Sequence, residues 1–67
     1  MNITLNNNPE TFEMEKLTVS SLLQVKNFTF KMLIIKVNGV LVSKDAYETA
    51  WVNDGDDVTV LHLISGG

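Results

Sequence analysis

The sequence predicts an α+β fold in which a mixed sheet of four to five strands carries one helix packed across one face. Three observations lead to this prediction: short runs with the pattern of strands, one stretch with helical spacing, and tight-turn residues between them. A chain of 67 residues makes one small domain. A single helix cannot form a helical bundle or a doubly wound sheet.

The N-terminal segment predicts an antiparallel hairpin. Ile3 and Leu5 alternate with polar residues, as in a half-buried strand. The stretch Asn6–Glu10 is rich in turn formers, because asparagine tolerates left-handed backbone and proline fixes its own φ. The alternation then resumes at Thr11 and extends to Glu15, where we expect Phe12 and Met14 to face the core.

One helix is predicted from about Val19 to Asn27, with Thr18 as its N-cap. The apolar stripe follows the spacing i, i+3, i+4, i+7 and consists of Val19, Leu22, Leu23 and the stem of Lys26. The helix has only about two turns and would be marginal alone, so packing on the sheet must hold it.

The next strand is predicted from Met32 to Val37. Its core face is expected to carry Leu33, Ile35 and Val37. Ile34 and Lys36 then face outward. Phe28 and Phe30, between the helix and this strand, are further core candidates.

Two turns separate the remaining strands. Asn38-Gly39 predicts a tight turn, because both residues accept positive φ. A short strand Val40–Ser43 follows, and Asp45 is expected to cap a single helical turn through Glu48. The second tight turn is Asn53-Asp54-Gly55-Asp56.

The final strand is predicted to be apolar on both faces. Val58, Val60 and Ile64 share one side, whereas Leu61 and Leu63 lie on the other. The second side must be covered or left for a partner. If the helix crosses one face, this strand can return beside the first, which is the β-grasp arrangement of ubiquitin. We assign residues 1–64 to this domain and residues 65–67 to a flexible tail.

Composition excludes several classes of function. The chain has no cysteine, so disulfides, thiolate metal sites and a cysteine nucleophile are excluded. A formal net charge of −3 without a Lys/Arg cluster argues against nucleic acid or an anionic membrane as partner. No stretch is long enough to span a bilayer, and we expect a cytoplasmic protein with no bound metal.

Isolated polar and aromatic residues have simpler interpretations than a catalytic site. His62 has no second histidine or cysteine to share a metal and is expected at the surface. The serines lack a recognisable base and orienting group. The aspartates Asp54, Asp56 and Asp57 fit turn chemistry better than a calcium loop. Tyr47 and Trp51 are expected to be core and packing residues.

The Gly66-Gly67 end is the most unusual feature of the sequence. Glycine has no Cβ, so such a tail can thread a narrow channel and adopt the φ and ψ that the channel requires. We therefore hypothesise that the C-terminal carboxylate of Gly67 is the reactive group. The alternative is a frayed end without chemical function.

Several motifs together resemble the ThiS family of thiamine-biosynthesis sulfur carriers, which are ubiquitin-like proteins. The resemblance is carried by Val37-Asn38-Gly39, the segment 42–49, Asp54-Gly55-Asp56, the apolar strand 58–64 and the terminal Gly66-Gly67. The chain departs from the family where it has Ser43-Lys44 instead of Pro-Arg, Tyr47 instead of tryptophan and Ser65 instead of glycine or alanine.

The resemblance implies a protein co-substrate and not an enzyme. An E1-like (ThiF-like) adenylyltransferase would use ATP to adenylate the Gly67 carboxylate, and a sulfur donor protein would convert it to a thiocarboxylate. A ThiG-like thiazole synthase would then accept the sulfur. The chain itself would bind no cofactor, and partners would contact Leu61, Leu63, Ile34 and the tail residue Ser65.

Two alternatives remain open at this point. One is the small subunit of molybdopterin synthase, a MoaD-like sulfur carrier that also ends in Gly-Gly. The other is a non-catalytic ubiquitin-like module that binds proteins and whose tail is inert.

Overall fold

The computed structural model describes residues 1–29 and 32–63 and confirms the predicted α+β architecture. Its elements are β1 (Asn2–Leu5), β2 (Asn8–Thr11), β3 (Lys16–Thr18), α1 (Val19–Val25), β4 (Leu33–Val37), β5 (Val40–Val42), a 3-10 turn (Lys44–Ala46), β6 (Trp51–Asn53) and β7 (Asp57–His62). A five-stranded sheet has the order β2-β1-β7-β4-β5, and β3 pairs with β6 in a second, two-stranded sheet.

The core lies between α1 and one face of the five-stranded sheet. Its buried residues are Ile3, Leu5, Phe12, Leu17, Val19, Leu22, Leu23, Ile35, Val52, Val58 and Val60. The members from the five-stranded sheet occupy alternate positions of β1, β4 and β7, because successive side chains of a strand point to opposite faces. Leu17 of β3 and Val52 of β6 come from the two-stranded sheet. The predicted apolar stripe of the helix supplies Val19, Leu22 and Leu23. The faces that the alternation predicts are therefore confirmed for these elements.

β7 occupies the centre of the sheet. It runs parallel to β1, with Leu5 opposite Val58, and antiparallel to β4, with Val37 opposite the same Val58. The last strand thus returns beside the first, as the β-grasp arrangement requires.

The N-terminal hairpin forms, but its second strand begins earlier than predicted. The turn consists of Asn6 and Asn7, whose φ values are 51° and 66°, so two asparagines suffice and β2 starts at Asn8. Pro9 lies on this edge strand opposite Thr4. Edge strands tolerate proline when its nitrogen faces away from the ladder.

The expectation that Met14 faces the core is wrong, since its side chain is 44% exposed. β2 ends at Thr11, so the alternation that places Phe12 in the core no longer applies two residues later. The chain turns instead towards β3, a strand of three residues that the sequence analysis did not predict.

Both ends of α1 are fixed by local hydrogen bonds. The Thr18 side chain accepts a hydrogen bond from the Ser21 backbone nitrogen at 3.1 Å, which confirms the predicted N-cap. The helix ends at Val25, two residues earlier than predicted, because Asn27 has a φ of 57°. The Phe28 nitrogen then donates to the Leu23 carbonyl oxygen at 2.8 Å, as in a Schellman cap.

Two further expectations in the C-terminal half are wrong. Asp45 does not cap the helical turn: Ser43 holds the N-cap position and Asp45 lies inside the 3-10 turn. Trp51 is 48% exposed, because Val52 takes the buried position in β6 and its neighbours must face outward. The Nζ atom of Lys16 lies 4.4 Å from the centroid of the Trp51 ring. Tyr47, by contrast, packs against the core as expected.

Asn6 extends the pairing of β7 beyond the end of β1. Its backbone nitrogen donates to the Val58 carbonyl oxygen at 2.9 Å. Its Oδ1 accepts a hydrogen bond from the Val60 nitrogen at 2.8 Å. A side-chain oxygen thus takes the place of the carbonyl that a continuing strand would have supplied.

Replacing Asn6 by glycine should lower the free energy of unfolding by about 1–2 kcal/mol, because the Val60 N–H loses its partner. Glycine keeps the positive φ without strain, so the change reports on the side chain. Urea denaturation followed by circular dichroism measures the effect.

Asn7→Gly is the matched control, because Asn7 has a similar positive φ but makes no side-chain hydrogen bond within the described residues. We expect it to change the free energy of unfolding by only a few tenths of a kcal/mol. Equal losses in the two variants would show that the Asn6 side chain contributes nothing.

Candidate functional site

The outward side of β4 and β7 carries a cluster of apolar side chains. Ile34 lies directly opposite Leu61 in the β4–β7 register. The Leu63 nitrogen donates to the Met32 carbonyl oxygen at 2.9 Å, so Leu63 and Met32 are the next pair along this side. The cluster, which we call the apolar face, consists of Met32, Ile34, Leu41, Leu61 and Leu63.

Four of the five members of the apolar face are well exposed. Leu61 is 49% and Leu63 is 42% exposed, and Leu41 on the neighbouring strand β5 reaches 64%. Ile34 is half-buried. These values confirm the outward orientation predicted for Ile34, Leu61 and Leu63, whereas their role in binding partners stays a prediction.

The apolar face is exposed because the described residues contain one α-helix, and that helix covers only one side of the sheet. α1 covers the side that carries Val58 and Val60, and no other helix of the described residues lies over the opposite side. Polar residues Thr4, Lys36 and Thr59 continue that outward side towards β1. An exposed apolar cluster with a polar rim is typical of a protein interaction site.

The predicted reactive tail follows the apolar face directly in the chain. Leu63 is the last described residue before Ile64. Ser65, Gly66 and Gly67 therefore lie outside the described residues, as does the domain boundary predicted after residue 64. Four residues span at most about 14 Å when fully extended, so Gly67 lies within that distance of Leu63.

Side chains of two turns fix the start of β7. The Nδ2 of Asn38 donates to an Asp56 carboxylate oxygen at 3.0 Å, and the Asp57 nitrogen donates to Asn38 Oδ1 at 2.9 Å. The other Asp56 oxygen accepts from the Asn53 nitrogen at 2.9 Å. The sequence analysis identified these residues as turn formers but missed that their side chains join one turn to the other. The motifs Asn38-Gly39 and Asp54-Gly55-Asp56 are the sequence signal from which a link between the two turns could have been inferred.

The described part of the chain contains neither a metal-binding cluster nor a membrane-spanning helix. Residues 1–29 and 32–63 contain no group of three His, Asp or Glu side chains arranged to hold a metal ion. His62 is exposed on β7, as expected. Within the same ranges no helix has both the length and the apolar character needed to cross a bilayer.

A mixed sheet with a central last strand, one helix on one side and an exposed apolar cluster on the other defines a ubiquitin-like β-grasp protein. Comparison with known proteins gives the family. The ThiS family model matches residues 3–67. The chain therefore belongs to the ThiS family of thiamine-biosynthesis sulfur carriers.

Solved structures agree with this assignment. The chain is 32% identical to the crystal structure of the thiamine biosynthesis protein ThiS from Geobacter metallireducens, with a TM-score of 0.90 and complete coverage of both chains. The solution structure of a thiamine biosynthesis protein from that organism gives a TM-score of 0.81 at 32% identity and covers 100% of this chain and 88% of that one.

A curated relative comes from a red alga. The uncharacterized protein ycf40 of Porphyra purpurea is 28% identical over 67 residues, which cover 98% of this chain and 94% of the relative. Its description assigns no function, so the family membership rests on the family model and the ThiS structures.

Leu61→Asp and Leu63→Asp should each leave the fold intact, because the new carboxylate lies in water. We expect losses in the free energy of unfolding below about 1 kcal/mol, the scale of strand propensity. Urea denaturation and circular dichroism measure this.

Val60→Asp is the matched contrast, since Val60 lies next to Leu61 but is only 7% exposed. A buried unpaired carboxylate should unfold the domain or cost several kcal/mol. If Leu61→Asp were as damaging as Val60→Asp, the assignment of the two faces of β7 would be wrong.

Proposed function

We propose that this protein carries sulfur for thiazole formation in thiamine biosynthesis on the C-terminal carboxylate of Gly67. The observation that supports this most is the position of the apolar face on the strand that leads into the tail. Membership of the ThiS family, whose model extends through Gly67, supports it further. In this proposal the protein is a co-substrate, and its partners supply the catalytic groups.

The proposed chemistry begins with activation of the carboxylate. A carboxylate is a poor acyl donor at neutral pH, because its oxygen is a poor leaving group. A ThiF-like adenylyltransferase would let the Gly67 carboxylate attack the α-phosphate of ATP, which releases pyrophosphate and forms an acyl adenylate. A persulfide of a sulfur donor protein would then displace AMP and form an acyl disulfide. A second thiol of a partner protein would cleave its S–S bond, which releases the Gly67 thiocarboxylate and leaves a disulfide between the donor and that thiol. A ThiG-like thiazole synthase would accept the sulfur.

The tail and the apolar face have separate tasks in this proposal. Gly66 and Gly67 offer no side chain for recognition, but they allow the backbone to enter a narrow channel. Fixing the backbone costs about 1–2 kcal/mol per residue, or about 4–8 kcal/mol for residues 64–67. Partner contacts must offset this cost.

Burial of the apolar face against a partner can compensate part of this entropic cost. Burying a whole leucine side chain contributes about 1.5–3 kcal/mol, so covering the exposed half of Leu61 and of Leu63 contributes about 1 kcal/mol each. The two leucines alone are therefore insufficient. The proposal requires that Met32, Ile34 and Leu41 are covered as well and that the channel contacts the tail backbone.

The decisive measurement is the intact mass after incubation with ATP, a sulfur donor and a ThiF-like enzyme. We expect a gain equal to the exchange of one oxygen for sulfur, confined to the C-terminal peptide. Deletion of Gly67, or addition of one alanine after it, should abolish the gain and leave the fold unchanged. Sulfur incorporation by the extended protein at the normal rate would overturn the proposal.

The docking role of the apolar face has its own test. Leu61→Asp should lower the kcat/KM of ATP–pyrophosphate exchange by the activating enzyme at least about tenfold, since an introduced charge must be desolvated at the contact. Val40→Asp is the control: Val40 is 67% exposed on β5 and alternates with Leu41, so it belongs to the other side of the sheet. Equal effects of the two variants would exclude a specific role of the apolar face.

A further inference from the structure

Asparagine is followed by glycine once in this sequence, at Asn38-Gly39. Such a pair is prone to spontaneous loss of the side-chain amide, because a glycine nitrogen has no side chain beside it to hinder attack on the asparagine Cγ. The other asparagines precede larger residues, which are Ile3, Asn7, Asn8, Pro9, Phe28 and Asp54. The sequence therefore marks Asn38 as the candidate site of deamidation.

The turn between β4 and β5 is open to water. Asn38 and Gly39 are both exposed, and their φ values of 52° and 80° are those of a tight hairpin turn. A Cβ placed on Gly39 would have no heavy atom of the described residues within 4 Å, apart from its own chain neighbours. Steric cover therefore does not protect the Asn38 amide from attack by the Gly39 nitrogen.

Three hydrogen bonds instead hold Asn38 against the start of β7. Its backbone nitrogen donates to the Asp57 carbonyl oxygen at 2.7 Å, and its Oδ1 accepts from the Asp57 nitrogen at 2.9 Å. Its Nδ2 donates to Oδ1 of Asp56 at 3.0 Å. We call these three contacts the Asn38 link. They fix both polar atoms of the side-chain amide, whereas the attack requires Cγ to turn back over the Gly39 nitrogen.

The reaction needs water as its only co-reactant. The Gly39 nitrogen forms a bond to Cγ of Asn38, the Cγ–Nδ2 bond breaks, and the amide group leaves as ammonia with the proton of the Gly39 nitrogen. Water then opens the succinimide ring at either of its carbonyl carbons, which gives aspartate or isoaspartate. Either product lacks the Nδ2 donor and carries a second carboxylate, and isoaspartate also lengthens the backbone of the turn by one carbon.

We propose that Asn38 is a deamidation site that the Asn38 link keeps unreactive in the folded protein. Local opening at the start of β7 releases the amide to the Gly39 nitrogen. The product cannot close the link again, because its carboxylate repels that of Asp56 where an N–H donor stood before. The modification thus converts a transient opening into a permanent loss of stability. It is independent of the proposed sulfur chemistry, since neither the apolar face nor Gly67 takes part.

The first test is the rate of deamidation at Asn38, followed by mass spectrometry of the proteolytic peptide that contains it during incubation at mildly alkaline pH. A synthetic peptide of residues 36–44 is the unprotected reference. We expect the folded protein to react at least about tenfold more slowly, since the two hydrogen bonds of the side-chain amide must open first. Equal rates in the folded protein and the peptide would overturn the proposal.

A variant of Asp56 separates the link from general stability. Asp56→Ala removes the acceptor of Nδ2 and should raise the rate at Asn38 at least about threefold. Asn6→Gly is the matched control, because it removes a side-chain hydrogen bond to the Val60 nitrogen and leaves the Asn38 link in place. Since Asp56 also accepts from the Asn53 nitrogen, the rates are compared at equal loss of stability, measured by urea denaturation. Acceleration that follows lost stability alone in both variants would contradict protection by the link.

An exchange of the two side chains tests the consequence of the modification. Asn38→Asp reproduces the aspartate product and should lower the urea midpoint of unfolding, because its carboxylate faces Asp56. Asn38→Asp combined with Asp56→Asn should restore the midpoint. The amide at position 56 can then donate to the carboxylate at position 38 and still accept from the Asn53 nitrogen. A double variant as unstable as Asn38→Asp, or a single variant as stable as the unchanged protein, would overturn the proposed effect of deamidation.

Discussion

The double pairing of β7 is the constraint on which the rest of the structure depends. Val58 lies opposite Leu5 on one edge and opposite Val37 on the other, so the register of three strands is set together. Because side chains alternate with a period of two, a slip by one residue would exchange the two faces of the strand. Thr59 and Leu61 would then enter the core, while Val58 and Val60 would move into water. One register thus determines both the core and the apolar face.

Polar side chains near the ends of β7 protect this register. Asn38 and Asp56 join the two turns before the strand, and Asn6 holds the Val60 nitrogen further along. Four asparagines, Asn6, Asn7, Asn27 and Asn38, have positive φ. Non-glycine residues pay about 1–2 kcal/mol for this conformation, and asparagine reduces the cost by local hydrogen bonding. Asn6 and Asn38 therefore specify their turns with side chains that also bridge neighbouring elements.

The sequence predicted the elements that have a regular period or a defined cap. Alternation in β1, β4 and β7 gave the correct faces, and Thr18 marked the start of α1 because a hydroxyl there satisfies an unpaired N–H. The pairing of β3 with β6 was missed, since three residues are too few to show a period. Trp51 was expected to be a core and packing residue, but the strand alternation with Val52 turns its side chain outward.

Part of the candidate site could also be predicted from the sequence, because the alternation of side chains along a strand decides which of them point outward. The alternation of side chains along β7 identified Leu61 and Leu63 as outward, and the alternation along β4 identified Ile34. These three members of the apolar face therefore followed from the assignment of the strands alone. Met32 was overlooked, although it alternates in step with Ile34 on the predicted strand. Leu41 was missed, because its membership depends on which strands are neighbours and in which register. Pairing between distant segments is a tertiary property that the local pattern of one chain does not encode.

A tail of small residues cannot by itself select a partner, and this limits where specificity resides in the proposed carrier. Glycine backbone presents the same hydrogen-bonding groups in any protein, so a channel that accepts Gly66-Gly67 accepts many such tails. In the proposed function, discrimination must come from the rest of the chain, and the apolar face includes Leu63, which directly precedes the tail in sequence. In the proposed function, docking of that face would place the Gly67 carboxylate within about 14 Å of Leu63 and so raise its local concentration at the partner's site. Binding energy from groups that do not react is thus used to position the group that does.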